Sequence, residues 1–272
     1  MIALNEAQVG RAALKGMAIV SMVFILMPLF FVIWLAFFQQ EIPSFPPDGY
    51  TLHWFAEVAR NKVFASGFVL SVQVALLATS IGLLLGVPAS LVIVRSKFIG
   101  QQWVNGLLLA PLIVPGVVLG TSLYVFQIQT EITTGLALKG SFGGLVAAHT
   151  LIVIPWTVRL VTANLAGMDR TIEEAAQNLG ANRFTTFWRV TLPTIRPGIV
   201  AAALFGFVNS FGNLEMSLFL VGPGRTTLPI AILQYLEWKI DPTVAAASVL
   251  QIVMISVALL ITDHYVKLSR VV

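Results

Sequence analysis

Glu174-Ala175-Ala176, with Gly180 four residues further on, is the grouping whose residue types and spacing most invite a functional reading. It cannot break bonds. Alanine and glycine permit close approach of two surfaces, and a single carboxylate supplies a polar contact, so the chemistry is that of docking. Groups suited to catalysis are scarce elsewhere. The sequence has no cysteine, which excludes disulfides, thiolate metal sites and cysteine nucleophiles. His53, His149 and His264 are far apart and show no metal-ligand spacing. The stretch from Gly135 to Gly140 approaches a phosphate-binding loop, but Ser141 follows where lysine is required. Neither a G-x-S-x-G elbow nor an H-E-x-x-H pair is present. The expectation is a protein with no catalysis of its own. A second polar grouping, Asn209, Ser210, Asn213 and Glu215, stands inside an apolar run, where a charge costs about 2.5–3.5 kcal/mol on insertion scales.

The elements that position these residues must be membrane helices. Of 272 residues, 57% are hydrophobic and 10% charged, with a mean hydropathy of +0.90. Soluble domains average about 45–50% and about 25%. The net charge of +4 is small and scattered, which argues against a nucleic-acid partner. A bilayer core of about 30 Å takes about 20 apolar helical residues, and runs of that kind occur at 17–38, 64–94, 104–126, 142–164, 198–221 and 245–262. The sequence predicts an all-α polytopic bundle of about six transmembrane helices. The first run follows Arg11 and Lys15 as a signal peptide would. Its length and the lack of a small-x-small cleavage site make it an uncleaved span. Pro28, Pro88, Pro111, Pro115 and Pro155 should kink or locally unwind their helices. Gly82 with Gly86, and Gly116 with Gly120, let helix backbones approach in lipid.

Residues 1–63 are expected to hold the N-terminus, the first span and a periplasmic loop; residues 64–264 a core of five spans with a polar loop at 165–197; and residues 265–272 a cytoplasmic tail. Orientation follows from the larger share of Lys and Arg. Arg11, Lys15, Arg95, Lys97, Arg159, Arg170, Arg183, Arg189, Arg196, Lys267 and Arg270 fall on one side, against Arg60, Lys62, Lys139, Arg225 and Lys239 on the other. The positive-inside rule then makes both termini cytoplasmic.

The polar loop is patterned beyond the needs of a connector. Ile172, Ala175, Ala176 and Leu179 fall at i, i+3, i+4 and i+7 of a short helix. Thr171 and Glu174 have the spacing of a capping box, and Gly180 suits a left-handed helix end. Phe184, Phe187 and Trp188 form a second apolar face, which Pro193 and Pro197 are expected to terminate. Such a stripe is buried either in the membrane interface or in a groove on a partner.

At these residues the sequence resembles the binding-protein-dependent ABC importer permeases, whose signature is EAA, three residues, G, nine residues, then I-x-L-P. Here Glu174-Ala175-Ala176 is followed by Gly180 and then Val190-Thr191-Leu192-Pro193, with Val190 for isoleucine the one departure. The resemblance implies a MetI-like fold and a coupling helix seated in a cleft of a separate ATP-binding subunit. It assigns Ala175, Ala176 and Gly180 to close packing, Glu174 to a polar contact or cap, and Leu192 and Pro193 to the end of the motif. It further implies an ATPase dimer that binds ATP and Mg, a sister permease, a periplasmic solute-binding protein, a bacterial inner-membrane location, and alternating access driven by ATP. A secondary transporter or channel is the rival reading. Such proteins carry inverted repeats and several midplane ionisable residues, and the patterned loop has no purpose there.

The stretches Ser217-Leu218-Phe219-Leu220, Gly222-Pro223-Gly224, Thr227-Leu228-Pro229 and Asp241-Pro242-Thr243-Val244-Ala245-Ala246 look like the second permease of the spermidine/putrescine class. That class is expected to carry an acidic pair after Ser210-Phe211, where this chain has Gly212-Asn213 and its nearest acid at Glu215. The implied solute is a polyamine or a related amine-bearing molecule such as an opine or an amino-acid derivative. Glu215 with Asn209, Ser210 and Asn213 fits a passage for a cation. It equally fits a pairing with a neighbouring subunit at the periplasmic end. Residues 226–240 are amphipathic, with Leu228, Ile232, Tyr235 and Leu236 together, and suit a brace at the periplasmic mouth or a contact with the binding protein.

Overall fold

The computed structural model describes residues 6–266; Lys267 and Arg270 of the basic tail lie outside the described residues, as do the side chains of 6–9, 12 and 264–266, His264 among them. Among the described residues there are twelve α-helices and no strands beyond isolated β-bridges. Five helices are long and apolar enough to cross a membrane, and a bent pair makes a sixth candidate. The chain divides into two compact units, residues 6–61 with Gln234–Val253, and Lys62–Leu233 with residues 254–266.

In the first unit, α1 (Glu6–Leu35) has no buried face along its apolar window, as a helix solvated by lipid or by a neighbour requires. It starts well before the expected residue 17 and stops at Leu35. Beyond it Phe38 bridges to Tyr50, and α2 (His53–Arg60) turns Trp54 inward, where its indole N–H donates to the Phe38 carbonyl at 2.6 Å. His53 faces Glu57 at 3.8 Å on the exposed side of α2 and meets the Trp54 ring edge-on.

In the second unit, α3 (Lys62–Arg95), α6 (Phe142–Ala166) and α9 (Leu192–Phe211) pack on one another and form the core. The Gly82 and Gly86 spacing works as expected. A Cβ at Gly82 would stand 2.9 Å from Val153 Cβ, and one at Gly86 2.7 Å from Thr157 Cβ, so only glycine lets α6 lie this close to α3. Leu160, Val161, Leu165 and Ile195 fill one end of the contact, and Val74, Leu145, Ile152 and Met216 the other.

Two spans depart from expectation. The third is split into α4 (Gln101–Leu109), a 3₁₀ turn Ala110–Leu112 and α5 (Gly116–Thr134), with a bend of 103°. Pro115 follows Pro111 at i+4, so its ring would clash with the Pro111 carbonyl in a continued helix. Pro28, Pro88 and Pro155 stay inside their helices, as does Pro197, whose own i−4 proline, Pro193, sits in the first turn of α9. The fifth span ends at Phe211, not at residue 221; Gly212 to Met216 form a non-helical break before α10 (Ser217–Leu220). At its other end it is longer than expected. Pro193 and Pro197 do not terminate the preceding segment: α8 (Arg183–Thr186) runs through a π turn, Phe187–Thr191, directly into α9. The π turn shifts the hydrogen-bond register just where Pro193 has no donor.

The helix α11 (Leu228–Trp238) is anchored at its start, where Leu228 N–H donates to Ser71 Oγ at 2.8 Å and Leu228, Ile230 and Ala231 are buried. Leu236 of the expected apolar face is exposed. The last span, α12 (Thr243–Val266), follows Asp241, whose carboxylate accepts from Thr243 N–H at 2.9 Å.

Candidate coupling elbow and membrane break

The residues of the EAA spacing fold into a short helix, a sharp turn and a second helix. The first is α7 (Thr171–Asn178). The expected Thr171–Glu174 capping box does not form. The residue preceding the helix, Arg170, makes no side-chain cap, and Asp169 Oδ1 instead accepts from Thr171 N–H at 2.9 Å. That backbone bond, with a further one from the Thr171 hydroxyl, holds the Asp169 carboxyl below its ordinary value. Asp169 reaches the first turn from outside the helix, as an acid near the positive end of the dipole should.

The turn forms as the sequence predicts. Gly180 has φ +89°, its N–H donates to Gln177 O at 2.9 Å, and Ala181 N–H donates to Ala176 O at 3.1 Å. This pair of reversed bonds is a Schellman motif, and Ala176 and Ala181 are its facing small residues. Asn182 then caps α8 through Oδ1, which accepts from Thr185 N–H at 2.8 Å.

The two faces of α7 differ. Ile172 and Leu179 are exposed, by 49% and 90% among the described residues. On the opposite face Glu173, a residue the periodicity passes over, meets Arg95 at the end of α3 with Nε to Oε2 at 3.2 Å and accepts from the Thr191 hydroxyl at 2.6 Å. The contact with Arg95 is ionic in character, since neither Nε nor Nη2 of that buried guanidinium has a directed acceptor. Arg170 Nη2 donates to the Arg95 carbonyl at 3.3 Å. Glu173 therefore ties α7 to α3 and to the π turn, while Glu174 stays exposed. Leu192 and Pro193 of the motif open α9, so the elbow and the fifth span are one continuous structural piece.

The second grouping lies at the break in that span. Asn213 Oδ1 accepts from Met216 N–H at 3.1 Å, and Ser217 Oγ donates to Asn213 O at 2.7 Å. Ser210, 2% exposed, bonds the ring of His149 at 2.8 Å. Asn209 is half-buried and Glu215 is exposed. Glu215 lies against Gly116, the first residue of α5; a Cβ there would stand 3.0 Å from Glu215 Cβ and 3.2 Å from Cδ. The breaks of the third and fifth spans thus meet, and Gly120 continues the contact against Met216 and Phe219. Irregular backbone at membrane depth survives where protein or a water-filled cavity satisfies it. Among the described residues Glu215 forms no salt bridge, and no three His, Asp or Glu side chains come together as metal ligands. His149 was legible as the one histidine within the 142–164 run, where a polar ring demands partners; Glu173 left no such sign.

Comparison with known proteins bears on this geometry. The profile of the binding-protein-dependent transport system inner membrane component matches residues 78–271. The chain belongs to this family. Among its relatives, the putrescine transport system permease protein PotI of Escherichia coli (strain K12) is 30% identical over 203 residues, 74% of this chain and 72% of the relative. The spermidine/putrescine transport system permease protein PotC of Haemophilus influenzae is 26% identical over 218 residues, 80% and 82% of the two chains. A solved bacterial ABC transporter involved in the import of the acidic polysaccharide alginate has the same fold, with a TM-score of 0.71 at 12% identity over 97% of this chain and 99% of the other. This permease is a multi-pass inner-membrane subunit of an ABC importer, a transport component and not an enzyme.

Proposed function

We propose that this permease forms half of the translocation pathway of an importer for a polyamine, putrescine or spermidine, or a related amine-bearing solute, and that a separate ATPase drives it through the α7–α8 elbow. The observation that carries the docking reading is the asymmetry of α7. Its outer stripe, Ile172, Ala175 and Leu179 with the half-buried Ala176, is left largely exposed among the described residues, while Glu173 fastens its inner side to α3 and to the start of the fifth span. A cleft on an ATP-binding subunit that holds ATP and Mg would cover the stripe, and motion of that subunit would pass through the π turn into α9. Orientation with both termini cytoplasmic puts the elbow on the ATPase side, as the Lys and Arg distribution favours.

The solute reading draws on relatives whose names specify putrescine and spermidine, and on the acid at the meeting of the two breaks. Glu215, with Asn209 beside the break, supplies the charge a cationic amine needs, while Ser210 and Asn213 hold the turn that carries it. A sister permease and a periplasmic binding protein complete the assembly, with 64–264 as the permease core. Purification of the intact complex should bring down an ATPase whose activity rises several-fold with putrescine-loaded binding protein; no ATPase in the complex refutes the coupling reading. Glu215→Gln should raise the half-saturating putrescine concentration for uptake about tenfold, the scale of one charge-assisted bond. Unaltered uptake would count against the pathway role.

A further inference from the structure

The break in the fifth span is spanned by a single side chain from another helix. His149 of α6 is 1% exposed, with Nδ1 2.8 Å from Ser210 Oγ and Nε2 3.1 Å from Ser217 Oγ. Ser210 lies in the last turn of α9, and Ser217 is the first residue of α10. The ring therefore ties together the two helix ends that the non-helical residues 212–216 separate.

The hydrogen-bond pattern fixes its direction. Ser217 Oγ gives its only proton to Asn213 O, so toward His149 it can only accept, and Nε2 must carry the hydrogen. Nδ1 then accepts from Ser210 Oγ–H. The neutral ring thus acts as donor on one side and acceptor on the other, and its donor side reaches, through Ser217, the carbonyl at the start of the turn. Glu215 stands on that turn over Gly116.

We propose that His149 is a positioning residue, which sets the place of the Glu215 carboxylate by holding both ends of the 212–216 turn. Its bearing on transport rests on the pathway reading of Glu215; its bearing on the turn does not. No aliphatic side chain can replace it, because the role needs one donor and one acceptor on opposite sides of a short, flat group.

The lack of native cysteine makes a direct test available. In the purified complex, Glu215→Cys supplies the only thiol in this chain, and its rate of reaction with a charged, hydrophilic thiosulfonate reports where the turn lies. Adding His149→Leu should raise that rate about tenfold, the scale set by two lost hydrogen bonds, and His149→Gln, which keeps a donor and an acceptor, should bring it back to within about twofold. Ser210→Ala with Ser217→Ala removes both His149 bonds, and with them the Ser217 bond to Asn213 O, while leaving the ring, and should raise the rate at least as much as His149→Leu. A thiol at the exposed Ile99 should react at the same rate in every background. Equal Glu215→Cys rates with and without His149→Leu, or with and without the double serine change, would overturn the proposal. Putrescine uptake is measured separately with Glu215 intact. A tenfold labelling change alongside unchanged uptake in His149→Leu leaves the positioning role standing and refutes the pathway role of Glu215.

Discussion

Glu173 and Glu174 are adjacent in sequence and opposite in surroundings. Glu173 is held between Arg95 and Thr191, and Glu174 is exposed at the rim of the same groove. Removing Glu173 would leave a largely buried guanidinium without its counter-charge, whereas the exposed Glu174 forms no salt bridge among the described residues. Glu173→Ala should therefore destabilise the purified complex by about 2 kcal/mol, and Glu174→Ala by less than about 0.5 kcal/mol. Thermal melting of the two variants checks this, and equal shifts would refute the division of labour. Transport assays add a second contrast: loss of activity in Glu174→Ala without loss of stability is expected if Glu174 meets the ATPase.

At the scale of elements, the elbow depends on one backbone conformation. Gly180 at φ +89° reverses the chain and supplies one of the two Schellman bonds. A side chain there strains the left-handed conformation by about 1 kcal/mol, small against folding but placed where the angle between α7 and α8 is set. Gly180→Ala should leave membrane insertion intact and lower solute-stimulated ATP hydrolysis; stimulation at the wild-type level would show that the angle is not critical. The start of α12 has a different fastening. Burial acts to raise the Asp241 carboxyl, but bonds from Lys239 Nζ at 2.7 Å, Thr243 N–H at 2.9 Å and the Tyr235 hydroxyl at 2.8 Å outweigh it and hold the group below its ordinary value. A depressed acid stabilises the fold at pH values above its ordinary range, and that contribution is lost as pH falls through the folded-state value. The gap in melting temperature between wild type and Asp241→Asn should thus be full near neutral pH and narrow below about pH 4. A gap independent of pH would exclude the ionised carboxylate as its source.

At the scale of the whole molecule, close contact of α3, α6 and α9 gives the core against which the two breaks are held. Gly86→Leu would drive a branched side chain into Thr157 and separate α3 from α6, so the protein should fail to accumulate in membranes, which immunoblotting of membrane fractions can check. Accumulation at the wild-type level would show that the core tolerates wider spacing. The apolar runs, the small-residue contacts and the Gly180 turn were all determined by the sequence alone, because lipid demands long apolar helices and a reversed backbone favours glycine at a local position. Pro111 and Pro115 marked a kink or local unwinding without revealing that the span turns through 103°. The π turn, by which α8 runs on into α9 past Pro193, was likewise hidden, since proline alone does not say whether a helix stops or shifts register. Glu173 with Arg95, His149 across the 212–216 break and Glu215 on Gly116 were decided only by tertiary structure. Each joins residues that local periodicity cannot relate, because a hydrogen bond or ion pair across helices depends on how the helices pack.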